Sequence, residues 1–472
     1  MATDCTAQKY LFQAPGRREM VAAFDGGSIS SDGGAVLLQQ VDHRRRLLRR
    51  FAECFQDARE PRQIEHSVEE LLRQRVFGLA LGYEDLNDHD ELRLDPLLAT
   101  VVGKCDPLGQ DRRQGRDRGK ALAGKSTLNR LEWGCTEEVA DDRYRRIAVD
   151  PAAVDRFFVD RFLETSKKPP KQIVLDVDAT DDPLHGQQEG RFFHGYYGHY
   201  CYLPLYIFAG SHLLCARLRR SNIDASAGTV DELRRIVAQI RERWPRVKIL
   251  VRGDSGVARE ELMAWCEANA VDYVFGLARN PRLEKTLAPT MDRTYEICSR
   301  TGQPTRRYAE WQHSTLETWS RDRRVIGKAE ITQRGENPRF VVTSLPANRN
   351  AAKRVYEEIY CARGDMENRI KEQQLDLFAT RTSGRRMWVN QLRLWFSSVA
   401  YLLLNELRRL GLAGTRWAGA RPSTLRLKLL KIGARVRVSA RKVWVSMATG
   451  YPHERLFGQV YRQLCRAGPC PA

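Results

Sequence analysis

One short stretch, IVLDVDATDD from Ile173 to Asp182, constrains the fold of this chain more than any other. Its aliphatic run is typical of a buried strand, yet the run carries Asp176 and Asp178. Side chains two residues apart project from the same face of a strand. A carboxylate in a buried strand is costly unless it is paired, protonated or bound to a cation. The stretch therefore predicts an acidic site on a sheet, with a divalent cation as the favoured reason for it.

The segments that follow alternate between strand and helix patterns. Three strands are predicted first, and then a helix, a strand, a helix and a strand, with the later strands at residues 199–210, 212–220, 247–256 and 272–280. This order is typical of an α/β, ribonuclease H-like fold, in which a mixed sheet has helices on its faces. Thr229 and Glu232 are expected to form a capping box at the first of these helices.

In such a sheet the first and fourth strands are neighbours. Asp254 ends the fourth strand, KILVRGD, at the edge where open α/β sheets place their sites. We therefore expect Asp178 to lie near Asp254. The competing interpretation is that these acids form ordinary ion pairs with the many arginines of the chain.

A third carboxylate is expected from a long helix that begins at about Asn350. At 100° per residue, one helix face about 80° wide carries Tyr360, Arg363, Glu367 and Lys371. This face is too polar for a core and suits a polar site. Three carboxylates can hold two Mg²⁺ ions about 3.5 to 4 Å apart, an arrangement used for phosphodiester chemistry.

The segment YCARGDMEN, Tyr360 to Asn368, resembles the Tyr-x-x-Arg-x-x-x-Glu signature of bacterial insertion-sequence transposases of the DDE type. LDVDAT and VRGDSG resemble the two strand motifs of that family, and the resemblance covers roughly residues 171–382. It implies a ribonuclease H-like catalytic core interrupted by a β-rich insertion. It also implies two Mg²⁺ ions, for which Mn²⁺ can substitute, cutting at inverted-repeat ends, and joining to target DNA.

The resemblance also implies roles for individual residues. The metal ligands and catalytic residues would be Asp178, Asp254 and Glu367, while Tyr360 and Arg363 would hold phosphates. Asp178 is favoured over Asp176 because it precedes Ala-Thr, as in the Asp-x-Thr motif of the family. The family has a lysine seven residues after the glutamate. Here Gln374 stands in that place, and Lys371 is the candidate to bind DNA instead.

Charge and length predict the surrounding regions. The 472-residue chain has a formal net charge of +19, and residues 379–472 hold 18 Lys and Arg against only Glu406 and Glu454. Such a basic stretch is the footprint of a polyanion-binding region. The expected regions are a helical N-terminal DNA-end-binding region at 1–165, a catalytic core at 166–286 and 350–382, a β-rich insertion at 287–349, and a basic C-terminal DNA-binding region at 383–472.

Several other kinds of site are not expected. GKALAGKS, Gly119 to Ser126, matches a phosphate-binding loop but lacks the preceding buried strand, so no nucleotide cofactor is expected. His194, His199 and Cys201 are interpreted as part of an aromatic strand rather than as zinc ligands. Eleven cysteines without a CxxC pair are typical of reduced thiols. No apolar run is long enough for a membrane span.

The residue patterns and the resemblance together predict a cytoplasmic, nucleoid-associated DNA transposase, and the resemblance implies a homodimer on double-stranded element ends and target. Two alternatives stay open. One is another two-metal nuclease or resolvase with the same fold, which would cut without joining ends to a target. The other is a DNA-binding protein without catalysis, which the presence of all three carboxylates disfavours.

Overall fold

A computed structural model describes residues 8–13, 16–134 and 146–466 of the chain. The chain forms two compact units. The first unit comprises residues 1–150, 376–378 and 399–472, and the second comprises residues 151–375 and 379–398. No helix in the described ranges combines the length and the apolar composition needed to cross a bilayer.

The N-terminal part of the first unit is mainly helical, as its apolar periodicity predicts. Its strands and helices are β1 (Lys9–Phe12), β2 (Met20–Ala23), β3 (Ile29–Ser30), α1 (Ala35–Arg45), α2 (Leu47–Ala52), β4 (Phe55–Asp57), α3 (Val68–Leu81), α4 (His89–Leu92), α5 (Pro96–Val102), α6 (Lys125–Glu132) and β5 (Ile147–Val149). Ser67 and Glu70 form a capping box at the start of α3. The GKALAGKS segment follows a 3₁₀ turn and leads into α6, and residues 103–124, between α5 and α6, form no strand.

The second unit contains one large sheet with helices on its faces. Its elements are α7 (Pro151–Leu163), β6 (Gln172–Ala179), β7 (Asp182–Pro183), β8 (Phe192–His194), β9 (His199–Tyr202), β10 (Leu205–Ala209), β11 (His212–Arg217), α8 (Thr229–Arg243), β12 (Lys248–Gly253), α9 (Glu260–Ala268), β13 (Asp272–Leu277), α10 (Pro281–Thr301), β14 (Thr305–His313), β15 (Arg323–Thr332), β16 (Gly335–Glu336), β17 (Arg339–Thr343), α11 (Ala352–Arg354), α12 (Gly364–Lys371) and, up to Ser398, the first part of α13 (Met387–Gly411). The strands of the sheet run in the order β11-β10-β6-β12-β13-β17-β15-β14, and β16 pairs with β15.

The strand order confirms the predicted neighbours. β6 and β12 are parallel partners, β12 and β13 are parallel, and β10 runs antiparallel to β6. Side chains of β6 alternate between two apolar layers. Leu175 and Val177 pack in one layer with α8 and α9, whereas Val174 faces the other layer together with Val355. Because side chains alternate along a strand, Asp176 and Asp178 face the same layer as the helical segment after Ala352.

Two local expectations are wrong. Helix α8 begins at Thr229 behind Gly228, whose φ of 73° is left-handed, and no side chain caps it, so the Thr229 and Glu232 capping box does not form. Glu232 instead pairs with Arg217 and Arg235. The strand patterns at 305–343 do form strands, but residues 287–301 belong to α10, because Leu283 and Leu287 are buried at helical spacing.

The C-terminal part of the first unit contains a basic β-hairpin. Its elements after α13 are α14 (Pro422–Leu425), β18 (Ala434–Val438), β19 (Val443–Met447) and α15 (Glu454–Arg466). β18 pairs antiparallel with β19 and with β3. A short helix followed by a hairpin of alternating basic and apolar residues is what the sequence predicts for this segment.

Candidate active site

Strands β6 and β12 bring the first two predicted carboxylates to one edge of the sheet. Their parallel register pairs Asp176 with Arg252 and Val177 with Gly253. Asp254 follows directly, and so it lies at the level of Asp178. The backbone N–H of Gly256 donates a hydrogen bond of 2.9 Å to Asp254 Oδ1, which fixes this carboxylate in the turn after β12.

Arg363 joins the first and third predicted carboxylates. Its Nη2 atom lies 2.7 Å from Asp178 Oδ1, and its Nη1 atom lies 3.1 Å from Glu367 Oε1. Arg363 and Glu367 are four residues apart, so they face the same side of the helix. The helical segment after Ala352 thus places Glu367 beside Asp178, as the predicted helix face requires.

The electrostatics of Asp178 include contributions from both other predicted carboxylates. Burial raises the pKa of Asp178 to about 6, Arg363 opposes the rise, and Asp254 and Glu367 add to it. Burial acts to lower the pKa of Arg363, but Asp178, Asp254 and Glu367 together hold it above its ordinary value. One guanidinium therefore carries the positive charge that balances this acidic cluster.

Tyr360 lies against the end of β13. A Cβ atom added at Gly276 would lie 2.6 Å from Tyr360 Oη, closer than two such atoms approach. Burial raises the pKa of Tyr360, Arg363 opposes this, and Asp254 adds to it. The phenol thus lies near Asp254 and Arg363, in space that the missing side chain of Gly276 leaves open.

The two candidates for the signature lysine occupy different environments. Lys371 is exposed, and its side chain forms no hydrogen bond or ion pair with any residue that the structure describes. Gln374 is half-buried, and its Nε2 donates to the backbone oxygen of Asp181 at 3.1 Å. Gln374 therefore contacts the chain just after β6, whereas the side chain of Lys371 is exposed to solvent.

Asp176 has a role that sequence patterns did not reveal. Arg252 Nε and Nη2 donate to its two carboxylate oxygens at 2.6 and 2.7 Å. Arg252 Nη1 also donates to the backbone oxygen of Ile359 at 2.6 Å. The register of β6 and β12 was the available signal, since it places Arg252 directly opposite Asp176. Arg252 thus links the segment before Tyr360 to the sheet, and the carboxylate of Asp176 neutralises the charge of Arg252.

The chemistry of the cluster suits a divalent cation. Its donors are carboxylate oxygens, the ligands that Mg²⁺ prefers, and a cationic group already lies among them. In residues 8–13, 16–134 and 146–466, no three His, Cys, Asp or Glu side chains are close enough together to hold an ion as they stand. Of the three residues His194, His199 and Cys201, His199 pairs with an acid, since its Nε2 lies 2.9 Å from Asp181 Oδ2.

Comparisons with known proteins identify the family. The family model described as "Transposase DDE domain group 1" matches residues 12–469. No curated protein matches the chain. Among solved structures, a piggyBac transposase synaptic complex with hairpin DNA matches with 10% identity and a TM-score of 0.34, covering 71% of this chain and 79% of that one. On the family match, which spans nearly the whole length, the chain belongs to the DDE transposases of group 1.

Proposed function

We propose that this chain is a DNA transposase that uses Asp178, Asp254 and Glu367 to cut the ends of a mobile element and join them to target DNA. The observation that supports this most is the bridge from Arg363 to both Asp178 and Glu367, with Asp254 on the adjacent strand. The strand order supports a ribonuclease H-like core for this unit.

The three carboxylates would hold two divalent ions, Mg²⁺ or Mn²⁺. When bound, such ions activate the attacking oxygen and stabilise the leaving one. Asp178 lies in a buried position that disfavours its charged form, so it gains most from a cation. Arg363 would then exchange its carboxylate partners for a phosphate group, two oxygens of which a guanidinium can bind at once.

Two further side chains on the same helical segment would contact the phosphates of the DNA end. Tyr360 lies near Asp254, and its hydroxyl can donate to a phosphate oxygen. Lys371 is exposed and has no partner among the described residues, so its charge is available to DNA. We assign both residues to positioning of the strand that is cut.

In the first unit, the basic hairpin of β18 and β19 would bind DNA. Arg435 and Arg437 lie on its exposed face, and Arg441 and Lys442 lie at its turn. None of these four side chains forms an ion pair within the part of the chain that the structure describes, whereas Lys431 pairs with Asp32 and Arg421 pairs with Asp376. Unpaired cations on one face are suited to the phosphates of a duplex.

We also assign end binding to region 1–165 and propose a homodimer on paired ends.

A cleavage and joining assay tests the function. The substrate is a duplex that carries the DNA flanking the gene, incubated with Mg²⁺ and a target plasmid. Wild-type protein is expected to give cut ends and joined products, and Asp254→Asn to bind the duplex and give neither. Cutting by Asp254→Asn at the wild-type rate would contradict the assignment, and wild-type cutting without joining would indicate a nuclease.

A further inference from the structure

An aromatic hairpin stands beside the candidate active site. It consists of β8 and β9 with the tip Gly195-Tyr196-Tyr197-Gly198, and His194 pairs with His199 across it. Four of its rings are exposed, those of Phe192, Phe193, Tyr196 and Tyr200, and Tyr196 is 87% exposed. Contiguous exposed apolar patches on soluble proteins often mark binding sites. We name residues 192–202 the aromatic hairpin.

The aromatic hairpin is fastened to the strand that carries Asp178. His199 Nε2 lies 2.9 Å from Asp181 Oδ2, and Asp181 comes three residues after Asp178. The next residue, Asp182, pairs with Tyr202 in the ladder between β7 and β9. The tip also lies within electrostatic range of the cluster. Burial raises the pKa of Tyr197, and Asp181, Asp178 and Asp254 raise it further.

The chemistry of the aromatic hairpin fits a nucleotide strand. The guanidinium of Arg191 lies 4.5 Å from the ring centroid of Tyr200. The side chain of Arg191 donates to the backbone oxygen of Gly186, and no carboxylate in the described residues forms an ion pair with it. The guanidinium of Arg191 can bind a phosphate, and the exposed rings beside it can stack on the face of a base.

Stacking on the exposed rings of the aromatic hairpin requires bases that are not paired in a duplex. In the interior of an intact duplex both faces of each base are covered by its neighbours. A ring can therefore stack only on a base that has left the helix or lies in a single strand. We propose that the aromatic hairpin stacks on unpaired bases of the DNA strand whose phosphate lies at Asp178, Asp254 and Glu367. This inference rests on the proposed function.

The test uses 2-aminopurine, a base whose fluorescence falls when it stacks. The probe is a short duplex with a single-stranded 3′ overhang that contains 2-aminopurine, and a blunt duplex without an overhang serves for comparison. All proteins carry Asp254→Asn to prevent cutting. Tyr196→Ala removes an exposed ring without opening the core, and Tyr196→Phe keeps the ring. Tyr295→Ala, on α10 and 60% exposed, is the matched control.

The expected result is quenching by Asp254→Asn, Tyr196→Phe and Tyr295→Ala, with quenching lost in Tyr196→Ala. Affinity for the overhang should fall at least about fivefold in Tyr196→Ala, since stacking of one base contributes about 1 to 3 kcal/mol. Affinity for the blunt duplex should stay unchanged. Undiminished quenching by Tyr196→Ala would overturn the proposal, as would an equal loss of affinity for both probes.

The failure of this inference is distinguishable from failure of the proposed function. Metal-dependent cutting by wild type that Asp254→Asn abolishes, together with unchanged quenching by Tyr196→Ala, would refute only the stacking role. A change in oligomeric mass on Tyr196→Ala, measured by light scattering without DNA, would assign the aromatic hairpin to a contact between two copies of the chain and would also overturn the proposal.

Discussion

Replacing Arg252 by methionine tests how the active-site helix is held on the sheet. Arg252 and Asp176 are 10% and 4% exposed, and two hydrogen bonds join them. Methionine keeps the aliphatic part of the side chain but removes the charge, so the buried carboxylate of Asp176 loses its partner. Removing one partner of a buried pair costs about 3–5 kcal/mol of the free energy of unfolding.

Proton uptake sets a limit to this cost. The lone carboxylate can take up a proton, which from its ordinary pKa of 3.8 costs about 4 kcal/mol at pH 7 and about 1.6 kcal/mol at pH 5. The Ile359 backbone oxygen, which accepts from Arg252, loses that bond and adds about 1 kcal/mol. The predicted loss is therefore about 5 kcal/mol at pH 7 and about 3 kcal/mol at pH 5.

Urea denaturation of the full chain at both pH values measures these losses. The double variant Asp176→Leu/Arg252→Met removes both charges and is expected to regain most of the stability, because an apolar pair can replace a buried ion pair. Arg234→Met, which breaks an exposed pair with Asp231, is the control and should change stability by less than about 1 kcal/mol. The reasoning is refuted if Arg252→Met matches this control, or if the double variant is no more stable than Arg252→Met.

Three further predictions follow from particular contacts. Gly276→Ala should slow cleavage and weaken binding of the DNA end, because its Cβ would displace Tyr360 from its proposed phosphate contact, and a single-turnover cleavage assay and a DNA titration measure the two effects. Burial raises the pKa of Asp182 to about 7, with Thr382 opposing and Asp181 adding to the rise. The folded state thus keeps a proton that the unfolded chain releases near pH 4, and stability is lost as the pH rises from about 4 to 7. Asp182→Asn has no such proton to lose. Its free energy of unfolding, measured by urea denaturation, should therefore rise relative to that of wild type by up to about 4 kcal/mol from pH 4 to pH 8. Replacing Arg435 and Arg437 by glutamine should reduce the slope of log affinity against log salt by about 2, measured with duplex DNA.

Each of these predictions has a contradicting outcome. Cleavage by Gly276→Ala at the wild-type rate would show that Tyr360 does not need its present position. A stability difference between Asp182→Asn and wild type that is the same at pH 4 and pH 8 would show that Asp182 titrates normally. An unchanged salt slope for the double glutamine variant would remove the β18–β19 hairpin from the DNA interface.

The placement of the first two carboxylates could be predicted because it follows from local patterns. Apolar residues that alternate with Asp176 and Asp178 fix which face of β6 is acidic. The order of strands and helices then fixes β12 as the parallel neighbour, and so brings Asp254 to Asp178. The spacing of Arg363 and Glu367 predicts their ion pair in the same way, because it depends on one helical turn.

Features that depend on tertiary contacts could not be predicted. Arg252 looks like one more basic residue in the sequence, and only the sheet register makes it the partner of Asp176. The helix after Ala352 contains π-helical turns at Val355–Tyr360 and Glu372–Asp376, which a uniform turn of 100° per residue does not describe. Gln374 lies in the second of these turns, and its side chain contacts the backbone of Asp181 just after β6.

The central claim is that three carboxylates from two strands and one helix bind divalent metal together. Calorimetric titration of Mn²⁺ into the full chain tests it most directly, with Asp178→Asn, Asp254→Asn and Glu367→Gln compared with wild type. Asp365→Asn is the control, because Asp365 is an exposed acid on the same helix as Glu367. Each of the three variants is predicted to weaken Mn²⁺ binding by at least about tenfold, and the control to bind as wild type does. Wild-type affinity in any of the three would contradict the claim.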